Sequence, residues 1–222
     1  MNLPFVKGRS GKMKEFNSKN YAEDMKKKIP AYELMFELIF QAILPLTDKE
    51  KVKNVLLIGG QANEINGISE VFPDASMTVI EPNEKMLTEA KRQTLSHEKV
   101  EFIGSKFEDY VTDKKYDICI CLLVLQFVED EEFFLSKIYG CLEQAGVLFL
   151  SIFSSEMLEY WKNFAIARGA DKGQVSKTCS QQAQVMKVLS LSTVEKQLLD
   201  LGFREMEKIL QVLSVALWRC KK

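Results

Sequence analysis

Two short stretches of the 222-residue chain have residue types at a spacing that can do chemistry. The run Val55-Leu-Leu-Ile-Gly59-Gly60-Gln61-Ala62-Asn63 ends an apolar, β-branched stretch in two glycines. Glu81 closes the next apolar stretch 22 positions after Gly59. A glycine lets a ligand approach the backbone, and an acid ending a strand can accept hydrogen bonds from both hydroxyls of a ribose. A carboxylate at the end of a buried strand also needs a partner. The second and third glycines of G-x-G-x-x-G are missing, so a dinucleotide pyrophosphate would meet Gln61. That counts against a nicotinamide dehydrogenase. His97 is the single histidine and lies in the polar connection Ser96-His97-Glu98-Lys99. A Ser-His-Asp triad and a His-ligated metal are thereby disfavoured, and His97 reads as a surface residue. Cys119, Cys121, Cys141, Cys179 and Cys220 form no C-x-x-C pair. They read as reduced thiols, mostly in the core of a cytoplasmic protein, and no metal site is expected.

A site at strand ends requires a sheet to hold it, and the patterning supplies one. With 46% hydrophobic residues and a net charge of −1, the chain is neither disordered nor broadly basic. Its length fits one large domain that needs no disulfide or metal staple. Charge is uneven: residues 1–28 carry eight basic side chains against three acidic ones, a net of +5 that leaves −6 for the remainder. This arm reads either as a solvated terminus or as a lid or substrate-guiding element, with RNA as one contact it could make. The first residues lack the apolar region of a signal peptide, and Ala31–Leu44 is too short and too interrupted by Glu33, Glu37 and Gln41 to span a bilayer.

A helix is expected to follow Pro30, with apolar residues from Tyr32 to Leu44 on most of its faces. From residue 52 strands alternate with helices: Val52–Ile58, Met77–Glu81, Val100–Ile103, Asp117–Leu123 and Val147–Phe153. Asn83 and Asp130 suit helix starts, the second helix presenting Phe134, Leu135, Ile138 and Leu142 on one face. Residues 154–190 read as an irregular helical insertion, in which Tyr160 and Trp161 either line a pocket or anchor packing. Ser192 and Glu195 have capping-box spacing, and Gly202 suits a left-handed helix end. Phe203–Leu210 and Val212–Arg219 read as a closing antiparallel hairpin. The expectation is an α/β, Rossmann-like, seven-stranded, mostly parallel sheet with helices on both faces. Residues 1–48 form its arm and helical cap, and 49–222 its main domain.

The motifs together resemble class I S-adenosylmethionine-dependent methyltransferases. The resemblance is carried by Leu56-Leu-Ile-Gly-Gly60, Val79-Ile-Glu81-Pro-Asn-Glu-Lys-Met86, Val100-Glu-Phe-Ile-Gly104, Tyr116-Asp-Ile-Cys-Ile-Cys-Leu-Leu123 and Leu142-Glu-Gln-Ala-Gly146-Val-Leu-Phe-Leu150. Ile29-Pro-Ala-Tyr32, Leu125–Glu129 and Lys137–Gly140 look in addition like the carboxy-S-adenosylmethionine synthase group and its tRNA wobble-uridine methyltransferase relatives. The resemblance implies S-adenosylmethionine as cofactor. It places Gly59, Gly60 and Gln61 by the methionine moiety, Glu81 on the ribose and Met86 against adenine. Ser105, Lys106 and Phe107 fall at the adenine edge, and Leu122, Leu123 and Gln126 on the sulfonium side.

Four positions depart from the family: Leu57, Gln61, Asn63 and Ser105. Gln61 would be strained by about 1 kcal/mol if it kept a left-handed backbone. The synthase group holds an extra carboxylate with an arginine, and the matching stretch Ser176–Ser180 has only Lys177. The resemblance implies methyl transfer to a small molecule or RNA, or else a binding or regulatory protein that has lost catalysis. It names no catalytic residue. The state of assembly is equally open, a homodimer being one candidate.

Overall fold

The computed structural model describes residues 21–185 and 189–222. The arm's Lys7, Arg9, Lys12, Lys14 and Lys19 lie outside the described residues. Seven strands form one sheet: β1 Asn54–Ile58, β2 Ser76–Ile80, β3 Val100–Ile103, β4 Tyr116–Leu122, β5 Leu142–Phe153, β6 Arg204–Val212 and β7 Val215–Lys221. Their order is β3-β2-β1-β4-β5-β7-β6. The β3 to β5 pairings are parallel, whereas β7 runs antiparallel to both its neighbours. It is the one reversed strand of the expected mostly parallel sheet.

The strands read as continuous apolar runs because both faces of the sheet are covered. On one face Val55, Leu57, Val79, Ile118, Ile120, Phe149 and Leu217 form a core with Ile65 and Ile68 of α3 (Ala62–Val71). On the other, Leu56, Ile58, Ile80, Cys119, Leu150 and Trp218 pack on Phe134, Leu135 and Ile138 of α5 (Glu131–Cys141) and on Val194 and Leu198 of α8 (Leu191–Asp200). The period of two along each strand assigns successive residues to opposite cores. Cys119, Cys121, Cys141 and Cys220 are buried and Cys179 partly so. Asn83 caps α4 (Glu84–Gln93) through Oδ1, which accepts from the Lys85 and Met86 amides, and Asp130 caps α5 at the Phe133 amide.

The N-terminal cap differs from its expectation. As expected, Pro30 precedes the helix. It is followed by Ala31 in a left-handed conformation (φ 56°, ψ 28°), and α2 runs only from Tyr32 to Phe36. A π-helical stretch, Glu37–Ile43, and a short 3-10 turn continue it. The apolar residues do not cover most faces evenly: Tyr32, Met35, Ile39, Phe40 and Leu44 make one buried stripe, while Leu46 is 87% exposed. The stripe rests on α3 at Gly67, where an added Cβ would lie 2.6 Å from the Phe40 ring. Glycine inside a helix costs about 0.5–1 kcal/mol relative to alanine. Here it provides the space for that aromatic ring.

The insertion folds as α6 (Leu158–Ala167) and α7 (Lys172–Val185). Trp161 settles as a packing anchor: it is buried, meets Phe153 edge-on at 5.1 Å, and donates from Nε1 to the Lys28 carbonyl at the end of α1 (Tyr21–Lys28). Tyr160 beside it is 68% exposed. Three further details correct the expectation. Leu142 opens β5 instead of ending the α5 face. The helix at 191 starts one residue before Ser192, so no capping box forms there; instead Glu156 Oε1 accepts from the Leu191 amide. Glu195, freed from capping, accepts from the Trp218 indole and pairs with Lys208. Gly202 takes the left-handed C′ position, at φ +99°.

Candidate cofactor cleft

A cleft of about 490 Å³ opens beyond the carboxyl ends of β1, β2 and β4. That is where the strand order reverses direction from β1 and where open α/β sheets place their ligands. Its size lies within the range of small-molecule sites. Gly59 leaves β1 with φ +70°, and the room vacated by its missing Cβ is filled by Val124, whose Cγ2 would stand 2.5 Å from such an atom. The glycine therefore allows the loop after β4 to close on the loop after β1. Gln61 has an extended backbone (φ −117°) and no left-handed strain. It is the N-cap of α3, forming a capping box with Glu64, whose Oε2 accepts from the Gln61 amide at 3.0 Å. Only the Glu64 half of the usual Ser/Thr-x-x-Glu signature is present in the sequence.

The polar floor consists of two buried carboxyls. Glu81 directly follows β2, only 8% exposed, and its Oε1 accepts from the Asn83 amide at 2.7 Å. Burial pushes its carboxyl up to about 7, opposed by the Asn83 hydrogen bond. Burial likewise pushes Glu64 up to about 7, with the nearby Glu81 charge adding to the effect. Desolvated acids of this kind are costly unless a ligand or proton satisfies them. One Glu81 oxygen takes the Asn83 amide, so the other can accept from hydroxyls of a bound molecule.

The loop after β4 forms one wall. Leu123 is left-handed (φ 58°), an unfavourable state for a branched side chain, and its amide donates to the carbonyl and Oγ of Ser151. Gln126 holds the loop from behind: Nε2 donates to the Leu123 carbonyl at 2.6 Å and Oε1 accepts from the Phe153 amide. Strain at Leu123 is thus maintained by β5, and it directs Leu123, Val124, Phe127 and Val128 into the lining. The roof is the helical cap, which contributes Tyr32, Met35 and Phe36.

Of the residues expected at the site, Gly59, Gln61, Glu81, Met86, Lys106, Phe107, Leu122 and Leu123 line the cleft together. Gly60, Ser105 and Gln126 do not. Gly60 turns toward Leu57, whose Cβ would stand 2.7 Å from an added Cβ; Ser105 donates to the Lys106 carbonyl; Gln126 is buried behind the wall. Lys177, on α7, is outside the lining, and His97 contacts Asn66 through Nε2 at 2.9 Å, away from it. Glu64, Asn83, Val124 and the cap residues were not anticipated. Asn83 was readable as a helix cap two residues after Glu81, but the cap residues carry no motif.

Comparison with known proteins agrees with this architecture. Residues 59–150 match the family described as a methyltransferase domain. The chain is 25% identical over 209 residues to the carboxy-S-adenosyl-L-methionine synthase of Campylobacter hominis, covering 88% of each protein. Among solved structures it superposes on the plantazolicin methyltransferase BpumL in complex with S-adenosylhomocysteine, with a TM-score of 0.70, 16% identity, and 92% and 89% of the two chains covered. The N-methyltransferase NodS of Bradyrhizobium japonicum WM9, also solved with S-adenosylhomocysteine, gives a TM-score of 0.61 at 16% identity, covering 87% and 88%. The chain therefore has the Rossmann-like fold that these methyltransferase structures share. Among the described residues no helix is long and apolar enough to cross a membrane.

Proposed function

We propose that this protein binds S-adenosylmethionine in the cleft and transfers its methyl group to a small-molecule acceptor. The observation that carries the reading is the buried Glu81 carboxyl at the end of β2, set into an open cleft among apolar side chains. Glu81 would accept from the ribose hydroxyls. Met86, Ile80 and Phe107 supply apolar surface for a purine, and Gln61 borders the methionine end.

Glu81 at the ribose and Gln61 at the methionine end would hold S-adenosylmethionine, which would supply an electrophilic methyl on sulfur for the acceptor's lone pair. The chain's own contribution is positioning and the exclusion of water. Tyr32, Met35 and Phe36 above, with Leu122, Leu123 and Phe127 at the side, surround the reaction space with little competing water. No general base is needed for an acceptor that is already nucleophilic, which accords with a chain holding one histidine remote from the cleft.

The departures at Leu57, Gln61, Asn63 and Ser105 motivate a non-catalytic alternative. Two observations favour the enzyme. Gln61 has an unstrained capping role, and the cleft is open space rather than filled by side chains. Titration calorimetry of the full chain tests the reading: S-adenosylmethionine and S-adenosylhomocysteine should both bind, and a folded protein that binds neither refutes it. Mass spectrometry of the native protein would then identify any acceptor that copurifies.

A further inference from the structure

Strand order gives the cleft a direction. Across the carboxyl ends, β3 leads to Lys106 and Phe107, β2 to Glu81 and, through α4, Met86, and β1 to Gly59, Gln61 and Glu64. The Gly59 amide donates to the Ile80 carbonyl at 2.8 Å, so the turn after β1 stands beside the end of β2. A nucleoside with its base on Met86 and Phe107 and its ribose on Glu81 therefore extends its 5′ substituent toward β1. Glu64 stands there, 6% exposed and part of the lining. Its Oε2 accepts from the Gln61 amide at 3.0 Å, which ties the carboxyl to the turn after β1. Two amides, its own and that of Gln61, offset burial only in part, and with the Glu81 charge adding to the effect the carboxyl stays raised to about 7. A cation brought by the ligand would remove the remaining cost.

Resting on the reading that this cleft holds S-adenosylmethionine, we infer that Glu64 receives the α-ammonium of the cofactor's amino-acid tail and makes a positive amino group a requirement of the site. A carboxylate can accept several hydrogen bonds, so the two amides leave it capacity for the ammonium. Pairing with a charged donor is worth about twice a neutral hydrogen bond, and burial strengthens it further. The capping box thereby has a second use: the Gln61 amide fixes the carboxylate before any ligand arrives. The two buried acids divide the ligand between them, Glu81 accepting from neutral hydroxyls and Glu64 meeting a charge. A tail without its amino group would leave Glu64 buried and uncompensated, which is how such a site rejects a near-isosteric ligand.

Calorimetry of the full chain decides the point with two probes, S-adenosylhomocysteine and its desamino analogue, in which hydrogen replaces the amino group. At pH 8, above the value of about 7, Glu64 is mostly ionised. The desamino form should bind about 30-fold more weakly, or worse. Glu64→Gln keeps an acceptor for the Gln61 amide, and in it the preference should shrink to about twofold, chiefly through weaker S-adenosylhomocysteine. Glu64→Asp, a second variant that keeps the charge and shortens its reach, should retain an intermediate preference. Equal binding of the two probes by the unmodified protein overturns the inference and leaves the cofactor reading standing. So does an undiminished preference in the variants, which would assign Glu64 to the ribose or to the fold alone. Absence of binding by both probes, in unmodified protein whose thermal melt shows it folded, overturns the cofactor reading and the inference with it.

Discussion

The floor and the roof of the cleft are built on opposite principles. The floor is a set of strand ends, where the parallel sheet brings Glu81 beside Glu64 and withholds water from both. The roof is a helical cap whose contribution is apolar side chains, held by Phe40 on Gly67 and by the Trp161 indole on the Lys28 carbonyl. Electrostatics governs the first and close packing the second. The floor should therefore respond to protons and charge, and the roof to volume and shape.

The largest expected effect separates the two by pH. Glu64 and Glu81 stand at about 7 against an ordinary 4.5, so the folded protein holds protons that the unfolded chain has released. Their stabilising contribution is complete below pH 4.5 and is lost as pH rises through about 7. At 1.36 kcal/mol per unit the loss is at most about 3 kcal/mol for each group. Melting of the free protein between pH 5 and 8 should show Tm falling, roughly 2–4 °C per kcal/mol. Glu64→Gln with Glu81→Gln should flatten the curve; an unchanged slope would assign the dependence elsewhere.

Next in size, Glu81→Ala should weaken S-adenosylmethionine about 30-fold, roughly 2 kcal/mol, measured by calorimetry. The melting temperature should not fall, since an awkward buried acid is removed. On the roof, Gly67→Ala reverses the usual helix preference: it should destabilise by about 1–2 kcal/mol in denaturant titration because Phe40 must move. A stabilised variant would show that the ring yields freely. Smallest is Trp161→Phe, which keeps most of the packing and deletes the bond to Lys28. A loss of about 1 kcal/mol, with faster hydrogen exchange in α1 than in the sheet, is expected.

The same division explains what could be read in the sequence. The floor was legible because a parallel sheet imposes long apolar runs and leaves Gly59 and Glu81 as punctuation at the strand ends. Even the hairpin was visible, its strand ends displaced by one to three residues. The roof was not, because the left-handed Ala31 and the π-helical turn after Phe36 reset the phase of the helix, so regular spacing misassigned its faces. Ser192 and Glu195 had the right spacing for a cap, but Glu156, remote in sequence, reaches the same helix end first. Gly60 and Gln126 stood next to lining residues, and sequence adjacency could not show that one faces Leu57 and the other is buried behind the wall.

The two tryptophans happen to divide along the same line. Trp218 lies fully buried in β7 with its indole on Glu195, and Trp161 joins the insertion to the end of α1. In a Trp218→Phe protein all indole emission comes from Trp161. Its wavelength and quenching then report on the cap's attachment while far-ultraviolet dichroism follows the whole fold. Opening of the cap and loss of the sheet thus become separately observable events, without attaching a dye.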